Sequence, residues 1–145
     1  MRILLLTIVV LFLSACTSEE FDKASTEKFD KTSTLAEQGN ASAQFNLGNM
    51  YNNGEGVTQD YKQAVKWYRK SAEQGDDSAQ HNLGLMYVRG KGVTQDYVLA
   101  HMWWNIAASS GHKNATTNRD VIAKKLSPSQ IEKAQDMARE WTAKH

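Results

Sequence analysis

The chain has 145 residues, with 17 lysines and arginines against 16 aspartates and glutamates, so its formal charge is +1. A balance this close to neutral excludes the broad basic surface that nucleic-acid binding requires, and the length allows one domain at most. The single cysteine excludes an intramolecular disulfide framework, and the single proline favours helices over an all-β fold.

Residues 1–15 have the pattern of a signal peptide. Arg2 supplies a positive charge, and residues 3–13 are apolar except for Thr7. This run is shorter than the about 20 residues that a membrane-spanning helix needs. It leads into Leu-Ser-Ala-Cys, which ends at Cys16 and resembles the lipobox of bacterial lipoproteins. The resemblance implies that Cys16 carries the lipid anchor and becomes the first residue of the mature chain. An ordinary secretory signal beside a structural cysteine is the alternative.

The residues after the cysteine predict the location of such a protein in the cell. In the lipoprotein signals that this segment resembles, an aspartate after the cysteine favours the inner membrane. Thr17 therefore indicates the outer membrane of a bacterium with two membranes. Residues 16–21 form a short tether that spans about 20 Å when fully extended. We expect the folded part to lie close to the membrane, facing the periplasm of the bacterial cell envelope.

Residues 41–76 and 77–112 repeat one another. Aligned without a gap at a spacing of 36, they are identical at 19 of 36 positions. Apolar residues at helical spacing predict helix A over residues 41–52 of the first unit, and two glycines follow as a turn. Asp60 then predicts the N-cap of a helix B, which Gly75 ends. A period of this size is typical of stacked helical hairpins.

One glycine lies inside each predicted helix A. Gly48 and its repeat partner Gly84 cost about 1 kcal/mol relative to alanine in a helix interior. Because both units retain the glycine, we predict a close approach of two helices at this point.

A family resemblance is carried by residues that recur in the second unit, except that Trp104 stands where the first unit has Tyr68. In the first unit they are Ala43, Leu47, Gly48, Tyr51, Gly54, Gly56, Val57, Asp60, Tyr61, Ala64, Trp67, Tyr68, Ala72 and Gly75. They resemble the Sel1-like repeat, a relative of the tetratricopeptide repeat, over about half of the chain. The resemblance implies an all-α fold, a short right-handed α-solenoid of helix-turn-helix repeats. It also implies a scaffold that binds other proteins, with no reaction and no cofactor.

The segments on either side complete the stack. Residues 22–40 look like a degenerate half-repeat, because residues 36–39 match residues 72–75. Residues 113–145 predict two C-terminal capping helices, and the second of them starts at the Ser-Pro-Ser-Gln sequence of residues 127–130.

Positions that differ between the two units indicate the surface that each unit presents. On helix A these positions form one stripe opposite the core face. The resemblance to repeat solenoids places this stripe on the concave side, so we predict a partner-binding groove there. Its residues are Phe45, Asn49, Asn52, His81, Leu85, Val88 and Arg89. The alternative is that neighbouring helices cover these side chains.

Helix B shows a second contrast between the units. The first unit presents cations, Lys62, Lys66, Arg69 and Lys70, where the second has Val98, Met102, Asn105 and Ile106. We predict that the C-terminal helices cover this apolar face, although a partner protein could do so instead. The covering residues would be Val121, Ile122, Ile131 and Trp141. The cationic face is predicted to be solvated, with contact to anionic lipid as the alternative.

Motifs of enzymatic chemistry are missing from the sequence. It contains no catalytic triad spacing, no phosphate-binding loop and no zinc protease motif. His81, His101 and His112 are not expected to converge, so no metal site is predicted. We therefore expect a non-enzymatic, membrane-anchored adaptor that binds an envelope protein through the groove. The alternatives are a protein that binds or hydrolyses cell-wall polymer, and a structural lipoprotein that self-associates.

Overall fold

The computed structural model describes residue 20 and residues 22–145, so the signal sequence, Cys16 and nearly all of the tether lie outside the described residues. The described part is all-α and has no strand, which confirms the predicted fold class. Helix α1 occupies residues 22–37, and the others are α2 (Ala41–Asn53), α3 (Tyr61–Glu73), α4 (Asp77–Arg89), α5 (Tyr97–Ser109), α6 (Lys113–Ala123) and α7 (Pro128–Lys144). None of these described helices has both the length and the apolar character needed to cross a bilayer.

The N-caps of α2, α4 and α6 recur at intervals of 36 residues. The side chains of Asn40, Asp76 and His112 each accept a hydrogen bond from the backbone N–H three residues later, at 2.8, 2.7 and 3.2 Å. Such a bond satisfies one of the free N–H groups of the first helical turn. Helix α6 therefore stands in the register of a third helix A.

Helix α1 stands in the register of a helix B. The side-chain amide of Gln44 donates to the carbonyl of Ala36 at 3.1 Å, and Gln80 donates to Ala72 in the same way at 3.2 Å. The described chain thus begins with a helix B, continues through two full hairpins and ends with α6 and α7. Helices α2 and α4 are each tied in this way to the end of the helix B before them.

Two glycines allow the chain backbones to touch where each loop meets the preceding helix B. Gly56 (φ 69°) and Gly92 (φ 71°) lie against the backbone of Ser25 and Tyr61 respectively. A Cβ at either glycine would collide with the carbonyl oxygen it faces, and the positive φ also favours glycine. The loops therefore hold successive units together as well as joining two helices.

The glycines inside helix A let the two helices of a hairpin approach closely, as predicted. A Cβ at Gly48 would lie 2.6 Å from the ring of Tyr68, and a Cβ at Gly84 would collide with the indole of Trp104. Each ring fills the space that a side chain would otherwise occupy.

Two hydrophobic clusters form the interior. The larger runs from α3 to α7 and includes Tyr68, Leu83 and Trp104. The smaller holds α1 against the first hairpin, through Ala36, Ala43, Leu47 and Trp67.

Helix α7 covers the apolar face of α5, although two of the four predicted covering residues, Val121 and Ile131, are not part of the core cluster. Met102 and Ile106 are buried, and the rings of Trp103 and Trp141 meet edge to face with centroids 5.7 Å apart. Val121 is 54% exposed, so its expected contribution to this cover was wrong. Because α6 has the register of a helix A, Val121 lies on the outward stripe of that helix.

Substitution of Gly48 by alanine tests the close approach of the two helices. We expect Gly48→Ala to lower the free energy of unfolding by about 1–3 kcal/mol, because the Tyr68 ring must shift to admit the methyl group. Helix propensity alone would raise stability by about 1 kcal/mol. Urea unfolding followed by circular dichroism measures the change, and Ser42→Ala, at an exposed position of α2, is the control. A stabilised Gly48→Ala variant would contradict the packing described here.

Acid should weaken the fold through His101, which lies buried in α5. Its Nδ1 has no hydrogen-bond partner among the described residues. Burial lowers the pKa of His101, the charge of Arg119 acts in the same direction, and Asp120 opposes them. The folded state therefore binds the proton less readily than the unfolded chain. This contribution to stability is present above the unfolded pKa of about 6.5 and is lost as the pH falls below it.

The prediction concerns the pH dependence of thermal unfolding. We expect the midpoint of wild-type unfolding to fall between about pH 7.5 and about pH 5, and to fall less in His101→Leu, which cannot take up the proton. His145→Gln, at an exposed histidine, should behave like the wild type. Equal pH dependence of His101→Leu and the wild type would exclude His101 as the titrating group.

Candidate partner-binding groove

The candidate groove is formed by the outward side chains of α2, α4 and α6. Two polar contacts join these three helices directly. The Asn82 amide donates to Oδ1 of Asn49 at 3.2 Å, and the Asn118 amide lies 3.0 Å from Nε2 of His81. Side chains of successive helices A therefore meet across the groove, at spacings of 33 and 37 residues.

The seven residues predicted from the sequence differ in how far they reach solvent. Arg89 is exposed, and the other six are partly buried. Phe45, Leu85 and Val88 each pack part of their surface on the larger core cluster. These apolar side chains are thus partly buried against the core and partly exposed to solvent.

The α2 end of the groove is polar, and its side chains form several hydrogen bonds. Oδ1 of Asn49 also accepts a hydrogen bond from the Tyr68 hydroxyl at 2.7 Å, and the rings of Phe45 and Tyr68 have centroids 6.0 Å apart. Burial raises the pKa of Tyr68 to about 12, so its hydroxyl stays protonated and continues to donate. The amide of Asn52 donates to the side chain of Asn53 at 2.8 Å.

A polar cleft adjoins this end, between α1 and α2. Its volume is about 490 Å³, and its lining includes Lys28, Asn46, Asn53 and Glu55. The amide of Asn53 donates to the Glu55 carboxylate at 2.7 Å. The cleft offers a partner mainly hydrogen-bonding groups.

His81 connects the groove to α6. Its ring stacks on that of His112, with centroids 4.7 Å apart and planes 19° apart. Burial lowers the pKa of His81, and His112 acts in the same direction. Two of the three histidines therefore meet, contrary to the sequence prediction, whereas His101 is buried separately in α5. Within the described ranges, no three His, Cys, Asp or Glu side chains converge as a group that could hold a metal ion.

Sequence reasoning missed Val121 as a groove residue. It lies 36 positions after Leu85 and is 54% exposed on α6. The signal for it was the cap at His112, which recurs 36 residues after the cap at Asp76. With Val88, these side chains form an apolar strip on the α4 and α6 half of the groove.

Comparison with known proteins identifies the repeats. The family model for the Sel1 repeat matches residues 41–76 and 77–112. No curated protein matches the chain.

Two solved structures resemble the chain. One is a protective antigen present in uropathogenic Escherichia coli strains and displaying an SLR fold. It is 38% identical over 80% of this chain, with a TM-score of 0.78. The other, a Sel1 repeat protein from Oxalobacter formigenes, is 40% identical over 59% of this chain, with a TM-score of 0.58. This chain spans 25% of the length of each of these two proteins. Residues 41–76 and 77–112 are therefore two Sel1 repeats, and the chain has the all-α repeat fold of that family.

Proposed function

We propose that this protein is a membrane-anchored adaptor that binds an envelope protein through the groove. The observation that carries the proposal is the apolar strip of Leu85, Val88 and Val121, which α4 and α6 present outward. Removing apolar surface from water is the main favourable term in protein association, so such a strip favours a protein partner. Sel1 repeats generally mediate contacts between proteins and are generally non-catalytic.

The two halves of the groove indicate what kind of segment would bind. The α2 half offers the amides of Asn49 and Asn52, and the α4 half offers apolar surface with Arg89 at its end. Amides can bond an extended backbone, and a cation at the end favours an acidic group. The expected ligand is a protein segment that has apolar side chains and an acidic residue next to them.

The membrane attachment rests on the sequence around Cys16. An aliphatic residue, two small residues and the only cysteine of the chain follow an apolar run of signal-peptide length. Stable anchoring needs more than one acyl chain, which a bacterial lipoprotein carries. Thr17 supports a location at the outer membrane, with the repeats facing the periplasm.

Charge placed in the apolar strip tests the groove. We expect Val121→Asp to abolish crosslinking of the protein to its partner in intact cells, because the partner would have to bury a carboxylate. Leu85→Asp should have the same effect. The readout is recovery of the specific crosslinked species by mass spectrometry, relative to the wild type.

A matched control uses the other large apolar side chain that is exposed among the residues that the structure describes. Leu35, on α1, is 41% exposed and lies outside the groove, so Leu35→Asp should leave the crosslinked species unchanged. Because Val121 is more than half exposed, Val121→Asp should unfold at the same temperature as the wild type. If Val121→Asp and Leu35→Asp recover equal amounts of partner, the groove does not bind it.

Replacement of Cys16 tests the anchor. We expect Cys16→Ser to move the protein from the detergent phase to the aqueous phase in a detergent partition experiment, because serine cannot form the thioether to lipid. Mass spectrometry of the wild-type N-terminal peptide should show the lipid on Cys16. Ser18→Ala, two residues later, is the control and should stay in the detergent phase. An unmodified Cys16 in the wild-type chain would refute the anchor.

A further inference from the structure

The outer side of the helix B layer carries a ridge beside an uncovered cleft. Helix α7 forms the ridge, because it lies over the face of α5 that includes Met102 and Ile106. The same face of α3, 36 residues earlier, bears Lys66 and Lys70, and both are exposed. The ridge and the cleft therefore lie next to each other on one side of the molecule.

The cleft along α3 is strongly cationic. Its volume is about 380 Å³, and Glu73 is the acid among its lining residues, which include Lys62, Lys66, Arg69 and Lys70. Within residues 22–145, the ion pairs are Arg119–Asp120 and Arg139–Asp136. The four cations of the cleft are thus not paired with acids in the part of the chain that the structure describes.

Two of these cations are held in place by the packing below them. Nζ of Lys70 lies 4.5 Å from the ring centroid of Trp67, and Nη2 of Arg69 donates to the Tyr87 hydroxyl at 2.9 Å. Such contacts fix where the positive charge stands and reduce the entropy lost on binding.

The ridge presents acids at the same spacing. Glu132, Asp136 and Glu140 are exposed and lie at positions i, i+4 and i+8 of α7, so they form one stripe. On α3, the side chains of Lys62, Lys66 and Lys70 have this spacing too. Each stripe is about 12 Å long at 1.5 Å per residue.

The ridge offers another molecule its outward side, which carries the acidic stripe together with the exposed cations Lys133, Arg139 and Lys144. Ala134, Ala138 and Trp141 of α7 are engaged in the core cluster, where they pack with α5 and its neighbours. Arg139 and Lys133 flank the acidic stripe, and Arg139 pairs with Asp136 within the helix. The stripe of Glu132, Asp136 and Glu140 is therefore opposite in charge to the cleft of a second molecule.

We propose that two copies of this chain associate through these surfaces, with the acidic stripe of α7 from one copy lying in the cationic cleft of α3 from the other. Ridge and cleft share one side of the chain, so a two-fold axis allows both contacts to form at once. The pairing uses the helix B layer and leaves the groove on the helix A layer open. It goes beyond the proposed adaptor function and does not depend on it.

Such a dimer is weak and depends on salt. Exposed ion pairs contribute little individually, and salt screens them. We expect the dissociation constant of the full chain to rise at least about tenfold between about 50 mM and about 500 mM NaCl. Sedimentation equilibrium measures it, with the chain kept in a non-ionic detergent that adds no charge.

Reversing the stripes gives the decisive test. The first variant combines Lys62→Glu, Lys66→Glu and Lys70→Glu, and the second combines Glu132→Lys, Asp136→Lys and Glu140→Lys. Each variant alone should bind itself at least about tenfold more weakly than the wild type, because like charges then face each other. An equimolar mixture of the two should associate like the wild type, since opposite charges face each other again. A change in folding alone could not produce this rescue.

A matched control has the same charge change on another helix. It combines Lys23→Glu, Lys28→Glu and Lys31→Glu, all at exposed positions of α1, and should dimerise like the wild type. A wild-type chain that is monomeric at low salt would overturn the proposal, as would a mixture of the reversed variants that stays monomeric. Binding of the monomeric wild type, but not of the first variant, to vesicles of anionic phospholipid would instead assign the cleft to the membrane.

Discussion

The contact between a glycine of helix A and an aromatic ring of helix B sets the geometry on which the whole stack depends. At Gly48 the ring of Tyr68 occupies the place of a side chain, and at Gly84 the indole of Trp104 does the same. A larger residue at either glycine would force the aromatic ring to shift and would disturb the packing of the two helices. The geometry of each hairpin thus depends on one small residue.

The same register extends beyond the two matching units, although the sequence there has diverged. The N-cap hydrogen bond is kept although the side chain that accepts it has changed. His112 caps α6 as Asp76 caps α4, with an imidazole nitrogen in place of a carboxylate. The backbone N–H groups at a helix start need an acceptor, and several side chains can supply one. The chain can therefore continue the stack with a helix whose sequence no longer resembles the repeat.

The divergence of α6 from the repeat sequence explains which features could be predicted from the sequence and which could not. Period and capping residues predicted the helices, the turns and the close approach at Gly48, because these depend on local chemistry. The sequence did not reveal that α6 is a third helix A, since only the position of His112 indicates it. For this reason the stacking of His81 on His112 and the exposure of Val121 were both missed. Contacts between helices of different sequence depend on how the helices align in the folded stack. Sequence identity between the two repeats does not reveal that alignment.

Divergence between the units also separates the two surfaces proposed to bind. Many positions identical in both units are used for stacking, and much of the variation lies on the outward faces of helices A and helices B, although buried positions such as Tyr68 and Trp104 differ as well. On helices A it creates the strip that contains Leu85, and on helices B it replaces Met102 and Ile106 by lysines. These faces belong to opposite layers, so a partner on one leaves the other uncovered. Two layers of the same small stack can therefore change their binding properties independently while the core that joins them stays the same.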